Sequence, residues 1–273
     1  MIKKISIITV NYNNKDGLKK TIDSVVNQTW KDFEFIIIDG NSNDGSKDIM
    51  EEYRHSISYA LSEPDTGIYN AMNKGIKAAN GNYLLFLNSG DILLDSNTLE
   101  KSNELINGDY DIYYGDIVYD EITKREIRTF PNKLDFHFFY LHNLSHQASF
   151  IKRSLFDDIF YYNEEFNIVS DWEFFIYAIC NRNASYHHMN IVICIYDGTG
   201  LSSNLNNHKL MHEERSATIA RYFPLFAEDY EKLIELNSKR FKQFAHIKTH
   251  KVAWEILKGL MSLILLFLPK QKN

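Results

Sequence analysis

The chain has 273 residues, of which 44% are hydrophobic and 24% charged, so it can bury a substantial core as an ordinary globular protein. Its formal net charge of −6 argues against general nucleic-acid binding, which needs a basic face. The two cysteines, Cys180 and Cys194, match neither a disulfide framework nor a metal motif, and the ten histidines lack the spacing of a zinc enzyme.

Strand-like and helix-like segments alternate through about the first hundred residues. Strands are predicted at residues 5–10, 33–38, 57–61 and 83–87, and helices at residues 15–28 and from Ile68 to a stop at Gly81. Short connections between such segments are typical of a mostly parallel, Rossmann-like α/β sheet with helices on both faces. Ser46 is predicted to cap a helix after the second strand.

Polar clusters follow the first, second and fourth predicted strands, at residues 11–14, 39–44 and 88–91. In parallel α/β sheets ligands bind beyond the carboxyl ends of the strands. These clusters therefore predict a binding site at one edge of the sheet.

The second half of the chain mixes its elements instead of alternating them. It reads as a hairpin at residues 111–119 and 124–130, strands at 147–152 and 191–196, a helix at 171–181, and further helices from His208 onward. We expect this half to complete the sheet and to wall one side of the site.

The tail from residue 252 to 268 is apolar except for one helical stripe formed by Glu255, Lys258 and Ser262. As a helix it is roughly 25 Å long, shorter than the roughly 30 Å hydrocarbon core of a bilayer. The pattern favours a helix lying in the membrane surface. A helix packed on the core or on a second subunit, or a true membrane span, are the alternatives.

Four residues are candidates for a functional role, and each also has a purely structural interpretation. Asp39 can bind a nucleobase or ribose or simply form a turn, and Asp91 can bind a cation on phosphates or form a turn. Asp171 can act as a general base, while Ser170 and Glu173 around it match a helix capping box. His146 can face the site or be structural. No Walker loop, G-x-G-x-x-G or G-x-S-x-G motif is present in the sequence.

Taken in order, these motifs resemble glycosyltransferase family 2, whose fold is called GT-A. The resemblance rests on residues 7–13, 38–46, 62–75 and 86–91, with His146-Gln147 and Ser170-Asp171, and it covers residues 5 to about 205. The segments 62–75 and 86–91 are most similar to a subgroup that builds bacterial surface polysaccharides, including colanic-acid-type enzymes.

The resemblance implies an inverting, nucleotide-sugar-dependent glycosyltransferase. In it Asp171 is the catalytic base that activates an acceptor hydroxyl, and Asp91 binds Mg²⁺ or Mn²⁺ across the donor diphosphate. His146, Gln147 and Trp172 lie on the acceptor side. The positions implied for the nucleotide and donor sugar are Thr9, Val10, Asn11, Tyr12, Asp39, Asp65, Asn73, Lys74, Asn88, Ser89 and Gly90.

One departure from the family pattern concerns the metal. Many members have a further aspartate just before the metal-binding one, but here Asn88, Ser89 and Gly90 precede Asp91. Cation binding then depends on Asp91, the donor phosphates and water. Two rival functions remain open: a catalytically inactive relative that serves as a binding subunit of a polysaccharide assembly complex, and a sugar nucleotidyltransferase.

The expected organisation is a catalytic domain at residues 1–205, with a donor half at 1–110 and an acceptor half at 111–205, followed by a helical region at 206–273. The expected partners are a UDP- or GDP-sugar and a glycan or lipid-linked acceptor. Residues 5–10 read as a strand, not a signal peptide, so we expect a cytoplasmic protein on the inner face of the cell membrane.

Overall fold

The computed structural model describes residues 4–121, 124–198, 200, 207–236 and 238–269. The chain forms two compact units, residues 1–218 and 219–273. The expected boundary at residues 205 and 206 lies outside the described residues.

The donor half contains the parallel part of the sheet. Its strands are β1 (Ile5–Asn11), β2 (Phe33–Asp39), β3 (Tyr59–Ser62) and β4 (Tyr83–Phe86), in the order β3-β2-β1-β4. They alternate with α1 (Lys15–Val26), α2 (Ser46–Glu52) and α3 (Ile68–Ala78). All seven residues of β1 and all four of β4 are buried, because helices cover this part of the sheet.

The following residues extend the same sheet in mixed directions. They form β5 (Ile92–Leu93), α4 (Thr98–Leu105), β6 (Ile112–Glu121), β7 (Lys124–Arg128), α5 (Phe136–Leu141), β8 (Ser149–Lys152), α6 (Ser154–Asp158), α7 (Ser170–Cys180), β9 (Tyr186–Asp197) and α8 (His208–Tyr222). The sheet continues β8-β6-β9-β5 beyond β4, with β7 paired to β6. Strand β8 is antiparallel to both β4 and β6, whereas β6 and β9 run parallel.

Strand register brings the predicted polar clusters together. Asn11 at the end of β1 pairs with Asp39 at the end of β2, and Asp39 pairs in turn with Ser62 at the end of β3. Since these strands are parallel, their carboxyl ends share one edge of the sheet. The predicted location of the polar clusters at this edge is confirmed.

Several predicted boundaries were wrong. Ser46 does not cap α2: the N-cap is Gly45 with a φ of 95°, and the Ser46 hydroxyl donates to Asp44. Ser170 likewise lies inside α7, behind the N-cap Val169, so the capping box is not formed. Gln147 and Ala148, predicted as the start of a strand, belong to a short 3₁₀ helix (His146–Ala148), and β9 begins five residues before the predicted Ile191.

In its described residues the second unit contains the end of α8, a 3₁₀ helix (Pro224–Phe226) and the helices α9 (Ala227–Leu236), α10 (Lys239–Lys248) and α11 (Lys251–Leu265). Across the described residues, every helix is too short or too polar to cross a membrane.

Candidate active site

A cleft of about 1690 Å³ opens at the carboxyl ends of β1 and β4 in the first unit. It is lined by most of the residues that the sequence predicted: Val10, Asn11, Tyr12, Asp65, Asn88, Ser89, Asp91, His146, Gln147, Asp171 and Trp172. Five predicted positions lie outside its lining: Thr9, Asp39, Asn73, Lys74 and Gly90. Asp91 and Asp171, which lie far apart in sequence, therefore face the same space.

Asp39 is fully buried and organises the loop after β2. Its Oδ1 accepts hydrogen bonds from Asn11 Nδ2 at 2.7 Å and Ser42 Oγ at 2.5 Å, and its Oδ2 accepts from Ser42 N and Ser62 Oγ. Burial raises the pKa of Asp39, but these four donors outweigh it and lower the pKa below 3.8. The next residue, Gly40, lines the cleft. Direct contact of Asp39 with a nucleobase requires that one of these bonds be exchanged.

Tyr12 and Asp65 form one wall of the cleft beside Gly40. A Cβ at Gly40 would lie 2.6 Å from Asp65 Oδ2 and 3.0 Å from the Tyr12 ring, so a side chain there would displace Asp65 or Tyr12. Tyr12 is 68% exposed and offers its ring to the cleft. Lys74 supports the wall from outside, because its Nζ donates to Pro64 O and pairs with Glu63 at 2.8 Å.

Two residues predicted to bind the nucleotide sugar, Thr9 and Asn73, instead form hydrogen bonds within the fold. Thr9 donates from its hydroxyl to Leu87 O at 2.7 Å, which ties β1 to the end of β4. Asn73 on α3 binds the backbone N–H and C=O of Tyr162 and also donates to Glu164. Both side chains are buried.

Asp91 lies at the end of a turn that begins at Asn88. Gly90 adopts a φ of 111°, and a Cβ there would lie 2.8 Å from Asp197 Oδ2. Asp91 is 4% exposed, and its Oδ1 accepts from Asp197 N at 2.9 Å. Burial raises the pKa of Asp91 to about 6, although the bond from Asp197 N, the charge of His146 and a bond from Gln147 act in the opposite direction. The site thus holds a desolvated carboxylate that a cation would stabilise.

Asp171 lies in the first turn of α7 and is 5% exposed. Its Oδ2 accepts from His146 Nδ1 at 2.8 Å and Asn143 Nδ2 at 3.0 Å, and its Oδ1 accepts from Trp172 N at 2.9 Å and Tyr69 OH at 3.3 Å. Burial raises the pKa of Asp171, but the hydrogen bond and charge of His146, with the bonds from Asn143 and Trp172, lower it below 3.8. Asp171 is therefore ionised at neutral pH.

His146 connects the two halves of the cleft. Its Nδ1 contacts Asp171, and its Nε2 lies 3.2 Å from Asn88 Nδ2 on the opposite side. The ring also packs edge-on against Phe86 of β4, which fixes its plane. The position of His146 therefore agrees with the interpretation in which it faces the site.

The loop before α7 is held by a side chain that the sequence did not single out. Glu214 of α8 is buried and accepts from the backbone N–H groups of Asn167, Ile168 and Val169 at 2.7, 3.1 and 3.1 Å. Trp172 adds a second anchor, since its indole donates to Phe139 O at 2.7 Å. Together these bonds position the first turn of α7, and hence Asp171.

Glu214→Ala is expected to lower the free energy of unfolding by about 2–4 kcal/mol, because three backbone donors lose a buried acceptor. The matched control is Glu213→Ala, whose side chain is 58% exposed and pairs with Lys209 on the same helix, at 3.7 Å. We expect this control to change stability by less than about 0.5 kcal/mol. Urea unfolding measures both; equal effects would show that Glu214 does not hold the loop.

Other residues of the site were missed for an identifiable reason. Tyr69 and Asn143 contact Asp171, and Asp197 contacts Asp91, but none follows a predicted strand of the parallel half. The strand-end rule therefore carried no information about them. Asp197 alone had a usable signal, since it directly follows the predicted strand at residues 191–196.

The chain is similar in sequence to known glycosyltransferases. Residues 6–164 match the family described as Glycosyl transferase family 2. The PGL/p-HBAD biosynthesis glycosyltransferase of Mycobacterium bovis is 33% identical over 205 residues, which cover 73% of this chain and 78% of that protein.

Two solved structures share the fold. Residues 1–349 of TarS from S. aureus, in complex with UDP-GlcNAc, give a TM-score of 0.64 at 19% identity, covering 81% of this chain and 67% of that one. The mannosyltransferase PcManGT from Pyrobaculum calidifontis, in complex with GDP-Man and Mn²⁺, gives 0.62 at 12% identity, covering 97% and 81%. The chain spans 40% of a longer TarS chain.

These similarities agree with the strand order and with the cleft at the strand ends. The family and its GT-A fold, expected from the sequence, are confirmed. The chain belongs to glycosyltransferase family 2 and is a nucleotide-sugar-dependent transferase.

Proposed function

We propose that this protein transfers a sugar from a UDP- or GDP-sugar to a hydroxyl of a glycan or lipid-linked acceptor, with inversion at the anomeric carbon. The proposed setting is bacterial surface polysaccharide synthesis, such as exopolysaccharide, capsule or O-antigen. The observation that carries the proposal is the meeting of Asp91 and Asp171 in one cleft, with His146 between them. One carboxylate lies on the donor side and the other on the acceptor side.

The donor side is built from the ends of β1, β2 and β4. Tyr12 offers an exposed ring on which a nucleobase can stack, next to the loop held by Asp39. Asp65 and the turn from Asn88 to Asp91 continue this wall toward the sugar and the diphosphate. TarS binds UDP-GlcNAc and PcManGT binds GDP-Man, which supports both nucleotides as candidates.

The donor side also fits a divalent cation. Asn88 Oδ1 and Ser89 Oγ are buried and have no hydrogen-bond partner in the described part of the chain. Together with the Asp91 carboxylate they are oxygen ligands of the kind that Mg²⁺ and Mn²⁺ prefer. A bound cation would neutralise negative charge on the diphosphate as it leaves. The Mn²⁺ in the PcManGT complex supports this assignment.

Asp171 is proposed as the base. It takes the proton from the acceptor hydroxyl while that oxygen bonds to the anomeric carbon and the bond to the diphosphate breaks with its electron pair. The Tyr69 hydroxyl is the most distant of its four donors, at 3.3 Å, so an acceptor hydroxyl would take that place. His146, Gln147 and Trp172 would shape the acceptor side around it.

We further propose that the protein is peripherally associated with the inner face of the cytoplasmic membrane. The amphipathic helix α11 in the second unit supports this location, as does the proposed use of a lipid-linked acceptor.

Donor binding tests the proposed function. In the presence of Mn²⁺, a UDP- or GDP-sugar that binds the folded protein is expected to raise its melting temperature. Slow release of nucleoside diphosphate should follow. Release of pyrophosphate from a sugar phosphate and a nucleoside triphosphate would indicate a nucleotidyltransferase instead. Binding without any turnover, with every acceptor offered, would indicate an inactive binding subunit.

A further inference from the structure

Helix α10 and the first turn of α11 carry an unbalanced positive charge. Residues 238–254 contain no Asp or Glu but five cationic side chains: Lys239, Arg240, Lys242, Lys248 and Lys251. Among the described residues none of the five forms an ion pair. The chain as a whole has a net charge of −6, so this segment is a local exception.

Helix α11 presents a continuous apolar stripe. Val252, Ile256, Leu260 and Leu263 recur every three or four residues and are 53–75% exposed. At 3.6 residues per turn these four side chains lie on one face of the helix.

A second stripe of α11 is polar. On it Glu255 and Lys258 pair with each other at 2.7 Å, and Lys251 adds one positive charge. Ser262 continues the same stripe. From Lys251 to Ser262 the helix is therefore two-sided, which fits a position parallel to a bilayer surface and not across it. The exposed Ile264 and Leu265 leave its last turn apolar on both sides.

A small aromatic cluster joins α10 to α11. The rings of Phe244 and Trp254 pack edge-on with centroids 5.3 Å apart, and Lys248 Nζ lies 5.9 Å from the Trp254 ring. This contact joins α10 to the side of α11 that carries Trp254, so the cations and the apolar stripe belong to one hairpin.

We infer that the α10–α11 hairpin binds bilayers that contain anionic lipids, with the stripe of α11 among the acyl chains and the five cations on the lipid phosphates. This rests on the proposed membrane association and adds the lipid class and the residues that select it. Anionic lipid satisfies both features together, because its chains take the apolar face and its headgroups take the cations. A neutral bilayer would leave the charge of α10 without partners.

The test is vesicle co-sedimentation of the full-length protein, without a sugar donor. Vesicles of phosphatidylcholine alone are compared with vesicles of equal parts phosphatidylcholine and phosphatidylglycerol. We expect strong binding to the anionic vesicles and weakening by added salt. Combined substitution of Lys239, Arg240 and Lys242 by Gln should weaken binding roughly a hundredfold, at about fivefold per charge.

The matched control replaces Lys20, Lys101 and Lys133 by Gln, which removes the same charge from exposed positions elsewhere. This control should leave binding unchanged. Replacing Ile256 and Leu260 by Ser should abolish binding while circular dichroism shows the helices intact. Equal binding to both vesicles would overturn the lipid class alone; no binding to either would also remove the proposed membrane association. A dimer broken by the Ile256 and Leu260 substitutions, with no vesicle binding, would assign the stripe to a second copy.

Discussion

Asp171→Asn is expected to reduce the rate of sugar transfer by about 10²–10⁴-fold, the usual contribution of a general base. The amide preserves the size of the side chain and can still accept a hydrogen bond from His146, but it cannot take the acceptor proton. Because Asp171 lies on the acceptor side, the affinity for the nucleotide sugar should remain within about threefold of wild type. Calorimetry with the donor and a transfer assay measure the two quantities separately.

The matched control is Asp158→Asn, an exposed aspartate at the end of α6 that should leave both quantities unchanged. Near-normal turnover in Asp171→Asn would show that another group removes the proton. A parallel loss of donor binding would show instead that Asp171 holds the donor.

Asp91→Asn is expected to weaken Mn²⁺ binding by at least about tenfold, because it removes the carboxylate of the proposed cation site. Without metal, the same substitution should stabilise the fold at pH 7–8. Burial raises the pKa of Asp91 from 3.8 to about 6, so keeping it ionised in the folded state costs up to about 3 kcal/mol.

The sign of the pH dependence follows from this raised pKa. The cost is absent below the unfolded pKa of 3.8, develops up to about pH 6, and is complete above it. The gain from Asp91→Asn should thus vanish near pH 4. Asp95→Asn, an aspartate whose side chain is 56% exposed, is the control and should have little effect at any pH. Electron paramagnetic resonance of Mn²⁺ and urea unfolding provide the readouts. Unchanged Mn²⁺ affinity in Asp91→Asn would reject the cation assignment.

The parallel half of the fold was predictable because each strand there is a short apolar run that ends in a polar turn. Asn11, Asp39 and Asp91 follow such runs, and the parallel register gathers the ends of β1 and β2. The helix starts were less predictable. Ser46 and Ser170 both lie one residue inside their helices, since a serine before a helical pattern does not fix which residue adopts the cap conformation.

Contacts between distant segments could not be read from local patterns. The bonds of Glu214 to residues 167–169, and of His146 and Asn143 to Asp171, join elements that are far apart in sequence. Glu214 lies in α8, within the helical region expected to follow the catalytic domain, yet it supports the start of α7 in the first unit. Such pairings depend on tertiary packing, for which a single sequence has no periodic signal.

The proposed mechanism depends most on the position of the nucleotide sugar relative to the catalytic base, Asp171. A crystal structure with Mn²⁺ and a bound UDP- or GDP-sugar tests them most directly. We expect the diphosphate beside Asp91 and the nucleobase near Tyr12. The anomeric carbon should face Asp171 across the space for an acceptor. A nucleotide sugar bound with its anomeric carbon turned away from Asp171, or outside this cleft, would contradict the account.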